Sequence, residues 1–306
     1  MIENKIKHIA IVGLGLIGGS LALALKVNGY HVTGITKSSD TLAKAKKEKA
    51  IDIGYTELNS EVLNNVDLIF LAPPLLNIPE YINQIATSVK KEIILTDVGS
   101  TKLEICNLAK KTLPENITFI GGHPMAGTEK TGFTFAQVGL FKDCAWILTP
   151  LDNTEKTKQA IKTLENIIIQ IGSKLILANP EKHDQAVALI SHLPLLISIG
   201  LCQIVRNLKD LEVQNLATLI ASSGFRDTTR IGGGNPLMNS NLLTSNLSQI
   251  TDVLPAYSKE LETIIKLVKE QPETLLKSLF EINEWRNKLY NTEGKNNFLN
   301  KEPTKV

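Results

Sequence analysis

His8-Ile9-Ala10-Ile11-Val12-Gly13-Leu14-Gly15-Leu16-Ile17-Gly18 decides how this chain folds. The β-rich run 8–12 predicts a buried strand, and the small and apolar residues 16–27 predict a helix. Between them Gly13, Gly15 and Gly18 stand in G-x-G-x-x-G spacing, the fingerprint of a dinucleotide-binding turn when a strand precedes it and a helix follows. Gly13 allows the tight turn, Gly15 lets backbone approach a diphosphate, and Gly18 lets the helix pack against the strand. The helix N-terminus, at Leu16 and Ile17, then offers free N–H groups and a positive dipole end to the anion. The alternative is a doubly wound fold that binds no ligand there.

Outward from this turn, further strands are predicted at 31–36, 66–72, 93–97, 117–120, 145–149 and 174–178, with a short extended piece at 51–55. Helices are predicted at 40–50, 80–89, 101–111 and 154–171. Strands alternating with helices imply βαβ units, and continuously apolar strands imply a mainly parallel sheet covered on both faces. After Asn179-Pro180 the pattern turns helical at a 3.6-residue period over 181–207, 211–223 and 242–290, the last broken near Pro255 and Pro272. The expected division is a nucleotide-binding α/β domain over 1–178, an all-α domain over 179–290 and a polar tail over 291–306.

The 306 residues suffice for two ordinary domains, and 43% apolar with 21% charged residues suits a globular protein with a full core. A net charge of +2 gives no electrostatic case for nucleic acid or an anionic membrane as partner. Cys106, Cys144 and Cys202 are far apart, with neither metal-ligand nor disulfide spacing, which fits buried apolar residues in a reducing compartment. The short polar N-terminus is no signal peptide, and the apolar stretch 193–201, interrupted by Pro194, Ser198 and Gly200, is too short to span a bilayer. A cytoplasmic protein is expected.

The end of the second strand selects the cofactor. NAD binding usually needs an acid there for the ribose 2′-OH. Here the sequence runs Gly34-Ile35-Thr36-Lys37-Ser38-Ser39-Asp40-Thr41. No acid ends the strand, Lys37 adds positive charge, and hydroxyls such as Thr36 and Thr41 suit a 2′-phosphate. NADP is favoured over NAD, with Asp40 read as the N-cap of the next helix or else as a ribose ligand.

Four segments suggest a substrate site. Gly121-Gly122-His123-Pro124-Met125-Ala126-Gly127-Thr128 places a histidine among small residues and a proline. Read as a rigid loop, it holds a side chain whose ordinary pKa suits proton transfer; alternatively, the histidine caps a strand or helix. Ser100, in Asp97-Val98-Gly99-Ser100-Thr101-Lys102, follows a strand end, where it contacts ligand, caps a helix, or does both. Ser191-His192-Leu193-Pro194 puts a helix-kinking proline beside a histidine, as a ligand-lining wall or a plain bend. In Gly224-Phe225-Arg226-Asp227-Thr228-Thr229-Arg230, a helix would set Arg226 and Arg230 one turn apart, one held in a salt bridge and the other free to fork onto a carboxylate.

All five segments, in this order and over nearly the whole chain up to residue 290, resemble the prephenate/arogenate dehydrogenase family of tyrosine biosynthesis. The Ser-Ser-Gly-Phe-Arg-Asp-Thr run and the Gly-rich stretch after Arg230 look most like the cyanobacterial and plant-type arogenate dehydrogenases, which prefer NADP. The resemblance implies a Rossmann domain plus a helical dimerisation domain, hence a homodimer, with no metal and no room for an ACT extension or fused chorismate mutase. It implies that His123 is the catalytic base, that Ser100 bonds that histidine beside the nicotinamide, that Arg230 holds the ring carboxylate, and that His192 and Thr128 line the substrate pocket. Prephenate is the alternative substrate. A β-hydroxyacid or 6-phosphogluconate-type dehydrogenase is disfavoured because residues 184–206 hold no lysine. A non-catalytic NADP-binding regulator would not need the histidine, the kinked helix and the arginine pair together.

Overall fold

The computed structural model describes residues 6–128, 130–290 and 296–300. Eight strands form one sheet: β1 (His8–Val12), β2 (His31–Ile35), β3 (Ile53–Tyr55), β4 (Leu68–Leu71), β5 (Ile93–Asp97), β6 (Ile117–Pro124), β7 (Ala145–Pro150) and β8 (Lys174–Leu177). Their spatial order is β3-β2-β1-β4-β5-β6-β7-β8, parallel throughout except where β7 runs antiparallel to β6. The helices interleaved with them are α1 (Leu16–Val27), α2 (Ser39–Lys47), α3 (Ser60–Asn64), α4 (Ile78–Ser88), α5 (Leu103–Thr112) and α6 (Glu155–Gln170).

The two-residue repeat of a strand sends alternate side chains to opposite faces. Ile9, Ile11, Leu68 and Phe70 accordingly join one buried cluster, with Leu21, Leu25, Trp146 and Leu164. Ala10, Val12, Ile69 and Leu71 join the other, with Ile78, Ile82, Ile85 and Ile105. Burying each large apolar side chain contributes ~1.5–3 kcal/mol, so both faces of the sheet hold helices, as the continuous apolar runs predict.

Beyond β8 the described chain is helical: α7 (Pro180–Val187), α8 (Leu193–Arg206), α9 (Leu211–Ile220), α10 (Ser223–Thr229), α11 (Pro236–Ser245), α12 (Leu247–Glu270) and α13 (Pro272–Leu289). A π turn over Ala188–His192 joins α7 to α8. This wide turn is how the helix absorbs the missing N–H of Pro194. The resulting helix, Pro180–Arg206, is long and apolar enough to cross a membrane by length and composition, unlike the shorter interrupted stretch weighed above. Its His183, Asp184, His192 and Ser198 are nevertheless buried within the protein.

Other expectations need correction. Pro272 begins a helix, but Pro255 lies inside α12 without ending it. Pro255 and Thr251 are exposed, so solvent can serve the carbonyl that the proline leaves without a donor. Ser38, not Asp40, caps α2, its hydroxyl accepting from the Thr41 N–H. Of the expected tail, Asn296 bridges to Tyr290 and Asn297–Asn300 form a 3-10 turn, while 291–295 and 301–306 lie outside the described residues.

Candidate active site

A cavity of about 1130 Å³ opens at the carboxyl ends of the strands, where the order reverses between β1 and β4. Open α/β sheets bind ligands at such a point. The cavity is lined by the Gly13–Leu16 turn, Ile17, Thr36, Lys37 and Thr41 on one side, and by Ser100, His123, Thr128, His192 and Arg230 on the other.

The glycine turn suits a diphosphate. Gly13 has φ +95°, and a Cβ there would lie 2.4 Å from the Ala72 carbonyl oxygen. A Cβ at Gly18 would lie 1.9 Å from the Gly13 carbonyl oxygen, so only glycine lets the first turn of α1 approach the strand. At Gly15 a Cβ would meet nothing within 4 Å, which leaves backbone facing open space. Gly15 is the N-cap of α1, no side chain caps this end and no acid occupies its first turn. The Leu16 and Ile17 N–H groups are therefore left for an anion.

His123 is not on a loop. It lies inside β6, opposite Ile147 of β7. The Gly121-Gly122 pair permits close approach rather than a turn, and neither residue has a positive φ. A Cβ on Gly121 would lie 2.3 Å from Thr149 Oγ1, and one on Gly122 2.4 Å from the Asp97 carbonyl oxygen. A ladder-paired strand holds His123 more firmly than a loop would. Its Nδ1 bonds His183 Nε2 at 2.8 Å. Ser100, expected to be its partner, lines the same cavity, but among the described residues the side-chain bond of His123 goes to His183 instead. Nor does Ser100 cap α5. Burial pushes the His123 pKa well below 6.5, because a second positive charge is disfavoured in this enclosed site, where the buried Lys102 ammonium and two further imidazoles, His183 and His192, stand close by. At neutral pH the ring is thus uncharged and able to take a proton.

The helical domain closes the far wall. The buried His192 ends the π turn, and the side-chain amide of Asn246 fixes its ring. That amide donates to the Asp184 carbonyl oxygen at 2.8 Å and lies 3.0 Å from His192 Nδ1. A carbonyl only accepts, so the amide NH₂ faces both partners and His192 Nδ1 accepts. His192 then carries its proton on Nε2, a donor rather than a base, and burial lowers its pKa. Arg226 pairs with Asp227 at 2.8 Å on the surface, and Arg230 lines the cavity. Thr128 lines its exposed rim.

Two further groups were not anticipated. Asp97 and Lys102 form a fully buried ion pair. Asp97 also accepts the Gly99 N–H at 2.8 Å and the Gly122 N–H at 3.1 Å, tying the ends of β5 and β6 together beside His123. Asp184, from the helical domain, accepts the Lys102 and Leu103 N–H groups at 2.8 Å each and so caps α5 across the domain boundary. The sequence signals were present in Asp97-Val98-Gly99-Ser100-Thr101-Lys102 and in His183-Asp184. Their partners depend on tertiary approach.

Family models of the prephenate dehydrogenase nucleotide-binding domain and dimerization domain match residues 21–177 and 179–282, respectively. The chain belongs to the prephenate dehydrogenase family. It is an oxidoreductase of the prephenate/arogenate dehydrogenase type. Prephenate dehydrogenase of Bacillus subtilis is 34% identical over 88% of this chain and 72% of its own length. The crystal structure of Synechocystis arogenate dehydrogenase superposes with a TM-score of 0.80 at 36% identity, covering 92% of this chain and 99% of that one. That of A. aeolicus prephenate dehydrogenase, in complex with hydroxyphenyl propionate and NAD+, gives 0.83 at 28% identity, covering 92% and 97%. Of the cavity's lining, Thr36, Lys37, Thr41, Ser100, His123 and Thr128 fall within the nucleotide-binding match and His192 and Arg230 within the dimerization match, while the Gly13–Ile17 turn lies just ahead of the first.

Proposed function

We propose that the chain catalyses NADP-dependent oxidative decarboxylation of arogenate to tyrosine in the cytoplasm, with His123 as general base. The observation that carries this reading is that one cavity is lined by the glycine turn, an uncharged buried histidine and an arginine. His123 takes the proton of the substrate's ring hydroxyl. Arg230 forks onto the ring carboxylate, and His192 donates a hydrogen bond. Thr128 would line the substrate side, and Ser100 would help hold the substrate and the nicotinamide in the same cavity. A nicotinamide cofactor held at the glycine turn would supply the acceptor for hydride from the hydroxyl-bearing carbon. Carbon dioxide then leaves and the ring becomes aromatic, which drives the reaction forward.

Arogenate is favoured by the likeness to the Synechocystis enzyme, and prephenate, giving 4-hydroxyphenylpyruvate, by the Bacillus subtilis relative. Side-by-side assays of both substrates, each with NADP and NAD, decide among the four pairings. Turnover confined to prephenate and NAD would end the proposal. For the cofactor, Thr36, Lys37 and Thr41 line the cavity near the end of β2, where no acid stands. Lys37→Ala is expected to weaken NADP binding roughly tenfold and leave NAD binding unchanged in a fluorescence titration. Equal losses for both would deny the 2′-phosphate contact.

Arg230→Ala is expected to raise the substrate KM. Truncating one partner of a buried charge pair costs ~2–5 kcal/mol. Arg230 is exposed in the free protein, so the lower end applies, roughly thirty-fold in KM. An unchanged KM would count against the assignment.

We divide the roles at residue 178, with cofactor binding in 1–178 and substrate closure and assembly in 179–290. Leu216, Leu219, Ile265, Leu276, Phe280 and Trp285 of α9, α12 and α13 are exposed. A large apolar surface of this kind is normally covered by a partner, and the dimerization-domain match supports a homodimer. Small molecules and a second copy are its partners, rather than nucleic acid or a membrane.

A further inference from the structure

His183 and Asp184 touch neither substrate nor cofactor in the reading above, yet they stand behind the base in a continuous buried chain. Asp184 Oδ1 lies 2.7 Å from His183 Nδ1, and His183 Nε2 lies 2.8 Å from His123 Nδ1. The His183 and Asp184 side chains are 2% and 3% exposed. The two imidazoles meet edge to face at 72°.

The proton positions follow from the far end of the chain. Asp184 accepts backbone N–H groups at both oxygens, so it serves as an acceptor. His183 Nδ1 must then donate to it. A neutral imidazole carries one N–H, so His183 Nε2 is an acceptor and the His123 Nδ1–H donates to it. The remaining lone pair of His123 is on Nε2, the only ring nitrogen left to serve the cavity. We propose that His183, oriented by Asp184, is a positioning residue that fixes His123 in its Nδ1–H tautomer and holds the ring for proton abstraction at Nε2.

This rests on the reading of His123 as base and adds what keeps it competent. As the substrate O–H proton moves to Nε2, the new imidazolium keeps its Nδ1–H bonded to His183 Nε2. His183 in turn remains bonded to the Asp184 carboxylate, and no proton moves onto Asp184. After carbon dioxide leaves, the proton on Nε2 returns to the ring oxygen, so the product is a phenol and His123 is neutral again. The arrangement is a carboxylate-oriented histidine with a second imidazole inserted between carboxylate and base. Wrong-tautomer variants of such sites lose about 10⁴-fold in kcat.

The test has one arm independent of activity. In the full-length protein labelled with ¹⁵N-histidine, His123 is expected to show the Nδ1–H pattern at neutral pH; an Nε2–H pattern would overturn the proposal. In kinetics, His183→Leu is expected to lower kcat by about 10²-fold with little change in either KM. His183→Gln places a carbonyl acceptor near the lost Nε2 and should recover kcat to within about tenfold of the parent. Equal kcat in the Leu and Gln variants, or an unaltered kcat in His183→Leu, would overturn it. If neither variant folds, the tautomer measurement on the parent protein still decides. Should His123 itself be dispensable, His123→Asn would retain activity while the Nδ1–H pattern persisted, which separates failure of the base assignment from failure of the relay.

Discussion

His123→Asn is expected to lower kcat by ~10²–10⁴-fold, the usual contribution of a general base, while leaving cofactor affinity intact. The asparagine amide can still donate toward His183 but cannot take a proton, and the glycine turn proposed to hold the cofactor is formed by other residues. Steady-state kinetics with a cofactor titration checks both halves. Turnover within a few-fold of the parent would remove His123 from the chemistry. The same residue sets a pH dependence. Burial, then neighbouring positive charge, holds its pKa well below 6.5. A general base works uncharged, so with His123 in the proposed role kcat/KM should stay level as pH falls from 8 to 6.5 and decline only below that. Stability follows the same sign. The unfolded histidine takes its proton near pH 6.5 and the folded one at lower pH, so His123 favours folding above about 6.5 and loses that contribution as pH drops toward its folded pKa. An acid limb of kcat/KM centred at or above 6.5 would contradict this.

Lys102→Met is expected to destabilise the protein by ~3–5 kcal/mol, because it leaves the Asp97 carboxylate buried without its counter-ion. Both side chains of the pair are wholly inaccessible to solvent. The Gly99 and Gly122 N–H groups still reach Asp97, but they supply no full charge. Chemical denaturation should show the loss. Asp97→Asn combined with Lys102→Met removes both charges and should restore most of the stability, since replacing both members of a buried pair by neutral groups is often tolerated. A single Lys102→Met variant as stable as the parent would show that the pair contributes nothing net. Because Asp97 binds the N–H next to His123, part of the effect should also appear in kcat.

The glycine turn was legible because it is local: strand, turn and helix are contiguous, and Gly13 and Gly18 are each required by a neighbour within the same unit or by Ala72, while Gly15 meets open space. Arg230 and His192 were legible as residue types in helical segments, Arg230 falling just past the end of α10 and His192 at the end of the π turn. The strand character of residues 121–124 was not, since Gly-Gly and Pro read as a loop until β7 supplies its ladder and the Thr149 and Asp97 atoms occupy the space of the missing Cβ atoms. The partner of His123 was not legible either: His183 lies sixty residues downstream and meets it only because the helical domain folds back onto the sheet. Pro255 does not end α12, because the rule that proline breaks helices assumes a carbonyl with no other donor, and an exposed helix face has water.

The Asp184 cap on α5 also bears on how molecules come and go. Swinging the two domains apart would break two charge-assisted bonds, each ~1.5–3 kcal/mol, and would uncouple His183 from Asp97's neighbourhood at the same stroke. Ligand exchange is therefore expected to leave the domain angle fixed and to use the solvent-open rim at Gly127, Thr128 and Lys130, so that the enzyme behaves as a rigid cleft with one mouth rather than as a hinge.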